Sequence, residues 1–250
     1  MIDLKLTSNG KFDNLKFPEI QEYKGEQFFE ISIIDCDLNG PIFFDCKFNN
    51  CVFSNCNFSN ARFFSDTTFA HCRFEKCDFR SVGMQNSGFD TCTFEKCDMR
   101  GTNLDNAKWR LSEIKNCNFR DISLHSWNWI DCKFSGILRD VKFIGKNNSK
   151  LKLDFSKSKF DCVEFFDCDI SECIPPEAKN HYFINDVLGK IKNSDSVLDN
   201  KNPNVKKIVQ RRLNGLSGMR QYIFNVESLR KVEDEEVADA LMEVFSIKSV

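Results

Sequence analysis

FEKCDFRSVGMQNSGFDTCTFEKCDMR, residues 74–100, decides the fold. EKCDFR at 75–80 returns as EKCDMR at 95–100, and KNCNFR follows at 115–120, so one phrase recurs every twenty residues. A shorter beat runs inside each twenty. Phe74, Phe79, Met84, Phe89, Phe94 and Met99 stand five apart, and a small or thiol residue precedes most of them by two positions, as Cys72, Cys77, Cys92 and Cys97 do. A period of five fits neither the roughly 3.6 of a helix nor the two of an ordinary strand. It fits a chain that turns a corner every five residues and closes a four-sided coil after twenty.

The beat extends in both directions. It begins at Leu38, Phe43, Phe48, Phe53, Phe58 and Phe63, slips by one residue at 64–66, and resumes from Phe69 to Phe134 through Trp109, Ile114, Phe119, Leu124 and Trp129. A weaker tail follows at Phe155, Phe160, Phe165 and Ile170, and the composition agrees, with 26 phenylalanines against 3 tyrosines. CDFRS at 77–81, CDMRG at 97–101 and CNFSN at 56–60 resemble the unit of the pentapeptide-repeat family, a small residue, a polar residue, Leu or Phe, then two polar residues. The resemblance covers residues 28–175. It implies an all-β solenoid, a right-handed four-sided β-helix with the central apolar residue and the preceding small residue pointing inward.

Coils stacked about 4.8 Å apart place each residue above its partner twenty positions away. The expected inner ladders are Phe69, Phe89, Trp109, Trp129 on one side and Phe74, Phe94, Ile114, Phe134 on the next, with the thiols Cys77, Cys97 and Cys117 in a third. Thirteen cysteines suggest metal ligation or redox pairing, but those need clusters converging on one point. These thiols run along a line in the inward small position, where buried Cys acts as a compact hydrophobe. Cys162 stands off that position and is expected to be exposed.

Trp127 occupies a place where a small residue is expected, so the coil should be distorted around 126–129. GKNNSK at 145–150 breaks the beat and reads as a loop leaving the surface, where insertions usually lie. Residues 1–27 alternate weakly and should supply an N-terminal cap or first strand, since a solenoid end needs covering against edge pairing. Beyond Pro175 and Pro176 the character changes, which predicts an α-helical C-terminal segment over 176–250. Phe183, Ile184, Val187, Leu188 and Ile191 have helical spacing, as does the run from Val205 to Ile223. NSDSVLDNKNPN between them reads as a polar loop, and a third helix with Val237, Leu241, Met242 and Phe245 follows the acidic turn at 233–236. These helices could form a subdomain, pack on the last coil or make a homodimer.

No catalytic pattern is present. The sequence has no glycine-rich phosphate loop, no GxSxG and no HExxH, and its three histidines, His71, His125 and His181, have no metal-ligand spacing. No enzyme activity, cofactor or metal is therefore expected. The start lacks an apolar run behind a basic end, and no stretch nears the roughly 20 apolar residues of a membrane span. The expected location is the cytoplasm of the producing bacterium, or a host cell reached without a classical signal peptide.

Binding is what remains. The family resemblance implies two settings. One is a protein-protein interaction scaffold of the kind found in type III secreted effectors. The other is protection of gyrase by DNA mimicry, as in quinolone-resistance proteins. The whole chain has a formal charge of −2, and residues 28–175 carry 21 acidic and 19 basic side chains, a poor imitation of a polyanion. Direct nucleic-acid binding is not expected either. One surface feature stands out: Arg80, Arg100 and Arg120 lie one coil apart just after the central residue. They should form a column suited to an acidic or phosphate-bearing partner. The competing reading is that Asp78, Asp98 and Asp121 neutralise them as surface ion pairs of little consequence.

Overall fold

The computed structural model describes residues 6–18, 21–177 and 179–247. From Lys11–Asp13 onward the chain winds into a four-sided parallel β-solenoid built from three-residue strands. The side-chain alternation of a three-residue strand explains the beat: the central residue points in and its neighbours point out. Two residues past each central position the backbone turns through the left-handed region, at Asn50, Asn55, Lys76, Lys96 and Asn116 among others. Asn and Asp tolerate that conformation best, which is why polar residues fill most of the corners.

The expected ladders are observed. Phe69, Phe89, Trp109 and Trp129 are in register, as are Phe74, Phe94, Ile114 and Phe134. Rings stack face to face along each column, with centroids 4.9 Å apart for Phe53–Phe74, 4.5 Å for Phe74–Phe94 and 4.7 Å for Trp109–Trp129. Rings on adjoining sides meet edge-on, as Phe69 meets Phe74 at 72°. Each such pair contributes about 0.5–1.5 kcal/mol beyond the burial of its area.

The one-residue slip is absorbed at a single corner. Ser65 and Asp66 are both left-handed, so the coil crossing them has a 21-residue register, Lys47 to Thr68, while Thr68 to Gly88 returns to twenty. Pairing also starts earlier than residue 28. Lys11–Asp13 pairs with Ser32–Ile34, and Glu22–Lys24 with Ile42–Phe44. Over Phe29 the edge is closed by Asn9, whose N–H donates to the Phe29 carbonyl, and by the Ser8 hydroxyl.

The later coils depart from twenty. Phe119 pairs with Leu138, a register of nineteen, and Leu138 pairs with Phe160, a register of 22. Gly136 makes the short coil: it has φ +96°, and a Cβ there would lie 2.8 Å from the Asn116 Cα. Residues 145–150 do not leave the surface as a loop. They form a bulge within the wall, shifting the register between Ile144 and Ser149. Asn147 and Asn148 take positive φ, and the Asn148 N–H donates to Asp167 Oδ1 at 2.8 Å, which pins the insertion. At Trp127 the backbone makes one 3-10 turn, Ser126–Asn128, that points the indole outward onto His125 and puts Ser126 inside.

After the last coil the chain forms a mixed unit with its own apolar core around Val187, Leu198, Val209, Leu213 and Leu241. Its helices are α1 (Val187–Lys192), α2 (Ser194–Leu198), α3 (Pro203–Gly215), α4 (Val226–Val232) and α5 (Glu235–Val244). Three expectations need correcting. Phe183 and Ile184 lie in a strand, His181–Ile184, which pairs antiparallel with Tyr222–Asn225. The helix begins only at Val187, where Asp186 caps it by accepting from the Gly189 N–H. The run from Val205 breaks after Gly215, leaving Ile223 on the second strand, and the polar loop contains α2. The acidic turn does start a helix, with Glu235 and Glu236 in the first turn of α5.

This unit covers the open end of the solenoid. Phe160 N–H donates to His181 Nε2 at 3.0 Å, Ile170 N–H donates to Gln221 Oε1 at 2.8 Å, and Asn225 Nδ2 donates to the Phe160 carbonyl. Side chains thus satisfy backbone groups that a further coil would otherwise take. Ile223 is buried with the solenoid core rather than the helical one, which ties the two together.

Candidate functional site

The interior holds the thiols in structural positions. Cys77, Cys92 and Cys97 donate to the Phe53, Phe69 and Phe74 carbonyls of the preceding coil at 3.4–3.5 Å. Thr102 and Ser158 occupy the same inward place and donate to Phe79 and Phe134 carbonyls at 2.8 and 3.0 Å. The thiols are therefore one choice among small side chains that fill the corner and bond a carbonyl. Burial pushes the Cys132 and Cys168 thiols up to about 11, so both stay protonated and unreactive near neutrality. Cys162 is exposed, at a left-handed corner with φ 56°.

Of the histidines, His71 is an exposed corner residue, His125 stacks on Trp127 and His181 accepts from the last coil. Among the described residues no three His, Cys, Asp or Glu side chains come together as a metal site. Nor is any helix among them long and apolar enough to cross a membrane.

The outer surface carries the polarity, and one wall is distinctive. Its inward residues include Phe79, Met99, Phe119 and Leu138, and its bridges run Asp37, Asn57, Asp78, Asp98, Asn118. Because the residue after each central position faces outward, Arg80, Arg100 and Arg120 fall in one column, as the sequence implies. The short coil adds a fourth member: Arg120 is in register with Arg139, and Arg139 with Asp161. Counting by twenties puts Asp140 at that place and so misses Arg139; the local signals of the shorter coil are Gly136 at a corner and the four-residue step from Phe134 to Leu138.

The four guanidiniums are not equally committed. Arg80 and Arg100 each grip the aspartate two residues back, Asp78 and Asp98, with Nη2–Oδ2 distances of 2.6 Å. Burial raises the Asp78 carboxyl, but its hydrogen bonds and charge contact with Arg80 prevail and hold it below the usual range. Arg139 Nε reaches Asp161 Oδ2 at 2.7 Å. Arg120 has Asn118 where its neighbours have aspartate, and only longer contacts to Asp121 and Asp140, at 3.5 and 3.6 Å. The expected neutralisation thus holds in full for two of the three, with Arg120 left loosely held. Beyond Arg139 the wall runs into α4, where Ser228 Oγ donates to Asp161 Oδ1 at 2.9 Å and Lys159 pairs with Glu227 at 2.7 Å.

A flat-walled, four-sided parallel solenoid with side-chain ladders inside and charge ladders outside belongs to the class of repeat-built solenoids. The pentapeptide repeats model of 8 copies matches residues 33–63, and the pentapeptide repeat region model matches residues 67–138. Residues 33–63 and 67–138 therefore carry pentapeptide repeats. Two trypsin-treated forms of QnrB1, a plasmid-mediated fluoroquinolone resistance protein, share its fold with TM-scores of 0.54 and 0.52 at 20% and 19% identity; the matches cover 67% of this chain and 83% and 84% of theirs. Full-length QnrB1 gives 0.51 at 20% identity, over 68% of this chain and 88% of that one. At such identity the likeness is one of fold. No curated protein matches the chain by sequence.

Proposed function

We propose that the chain is a non-catalytic scaffold that holds an acidic protein partner along the wall formed by Arg80, Arg100, Arg120 and Arg139. The observation carrying this reading is the repetition of arginine at one outward position in four consecutive coils. A solenoid wall presents such a ladder already ordered, so the partner pays little for arranging it. Arg120 is the centre of the site, because its guanidinium retains donors that Asp78 and Asp98 take from Arg80 and Arg100. The setting is the cytoplasm of the producing bacterium or, for a delivered effector, the host cell.

The fold shared with QnrB1 favours a second reading, protection of a topoisomerase by imitation of DNA. The charge balance weighs against it, since 21 acidic and 19 basic side chains over residues 28–175 do not resemble one negative charge per about 1.7 Å of duplex. Affinity capture from bacterial and eukaryotic lysates, with the full chain and with the fourfold Arg→Ser variant as paired baits, tests both. The scaffold reading expects a protein held by the native chain and lost from the variant. Equal capture by both baits rejects the arginine wall. Gyrase or topoisomerase subunits held equally by both favour the second reading.

A further inference from the structure

A cavity of about 290 Å³ lies between the last coil and the helical unit. That is near the lower end of small-molecule pockets, about 300 Å³. Val163 of the solenoid and Leu216, Phe224, Leu229, Val232 and Leu241 of the helical unit give it an apolar wall. The polar groups around it are mostly committed. Arg212 pairs with the nearly buried Glu233, and Lys142 lies 3.4 Å from Glu164. Asn225 Oδ1 caps α4, and Ser228 Oγ is bonded to Asp161.

Two donors are left over. Arg211 lines the cavity, is exposed, and has no carboxylate within ion-pair distance among the described residues. Tyr222 lines it too, and its hydroxyl has no hydrogen-bond partner among them. Burial pushes that phenol up, so it remains a neutral donor. Glu164 Oε2 is buried without a hydrogen-bond partner and is offset only by the charge of Lys142 outside the lining. With Arg212 and Glu233 paired, the chamber is left with one net positive group and one neutral donor.

We propose that this cavity binds a small apolar monocarboxylate, its tail against Val163, Leu229 and Leu241 and its carboxylate on Arg211 and the Tyr222 hydroxyl. The site is separate from the arginine wall and does not depend on the scaffold reading. A carboxylate suits it because a guanidinium offers paired donors at a matching separation, whereas an ammonium ligand would meet Arg211 as a like charge.

Calorimetric titration of the full chain with benzoate and hexanoate tests this, with benzyl alcohol and benzylamine as neutral and cationic controls. Binding of either acid, weakened about tenfold or more by Arg211→Gln as expected for one charge-assisted bond, is the expected result. Cys162 lines the same cavity and serves as a reporter, since an occupied site should slow its alkylation by iodoacetamide. Leu229→Trp should fill the chamber and abolish binding while the circular dichroism of the solenoid is kept. The proposal is overturned if neither acid binds, if benzyl alcohol binds as tightly as benzoate, or if Arg211→Gln leaves affinity unchanged.

Discussion

The early coils and the late coils use the same side chains under different rules. Between Thr68 and Lys115 the register is twenty without exception, and rings fall directly onto rings. Beyond Trp129 registers of 19 and 22 follow one another, yet Leu138, Val141, Phe143, Leu151 and Leu153 are as fully buried as any earlier residue. Inward pointing is therefore a property of each short strand, while strict period is a property of the corners. A corner takes or loses a residue where the backbone can go left-handed, as at Ser65, Asp66, Gly136, Asn147 and Asn148. The later coils are also the ones that receive the helical unit.

The largest effect should come from the regular region. Phe94→Ala removes a ring stacked 4.5 Å from Phe74 and edge-on to Phe89, and should cost about 3–5 kcal/mol in denaturant unfolding. Gly136→Ala attacks the irregular region at its left-handed glycine. A Cβ there meets the Asn116 backbone in a left-handed residue, so a loss of about 1–3 kcal/mol is expected. If Gly136→Ala proves neutral by the same assay, the nineteen-residue coil is not held by that corner.

Cys97→Ser probes the small inward position. Since Ser112 and Ser158 already serve there, the hydroxyl should donate to the Phe74 carbonyl and cost less than about 1 kcal/mol. A larger loss in thermal unfolding would show that the thiol ladder has a role its neighbours cannot fill.

A smaller effect should mark the joint between the late coils and α4. Hydrogen bonds from Lys159 and Lys231 hold the Glu227 carboxyl down at about 2, below its ordinary 4.5. A depressed carboxyl contributes stability that is present above its unfolded value and lost as the pH falls from about 4.5 toward 2. Melting of the helical signal should decline over that range, and Glu227→Gln should flatten the decline relative to the native chain. Identical curves for the two proteins would remove Glu227 from the joint. The smallest effect is expected outside: changing Arg80, Arg100, Arg120 or Arg139 singly to Ser should shift stability by no more than about 0.5 kcal/mol, because exposed pairs contribute little.

Much of this was legible in the sequence. The five-residue beat at Leu38–Phe63 and Phe69–Phe134 gave the solenoid, its two aromatic ladders and the inward thiols, since each depends on local spacing alone. Arg139 was missed because counting by twenties passes over the residue lost from this coil, although the beat marks it: Leu138 stands four residues after Phe134 and Phe143 five after that. The bulge at 145–150 was misread because polarity signals a departure from the beat without saying whether the chain leaves the wall. In the C-terminal unit, strands His181–Ile184 and Tyr222–Asn225 looked helical because their pairing spans some forty residues and leaves no periodic trace. The cavity could not be foreseen, since its walls come from segments that meet only when the helical unit docks.

Hydrogen–deuterium exchange of the full chain, alone and bound to the partner it captures, tests the arginine wall most directly. Slower exchange in the bound state around residues 98–100, 118–120 and 137–139 is the expected result. Protection confined instead to the opposite wall of Lys47–Asn49, Thr68–Ala70, Gly88–Asp90 and Lys108–Arg110 would contradict it.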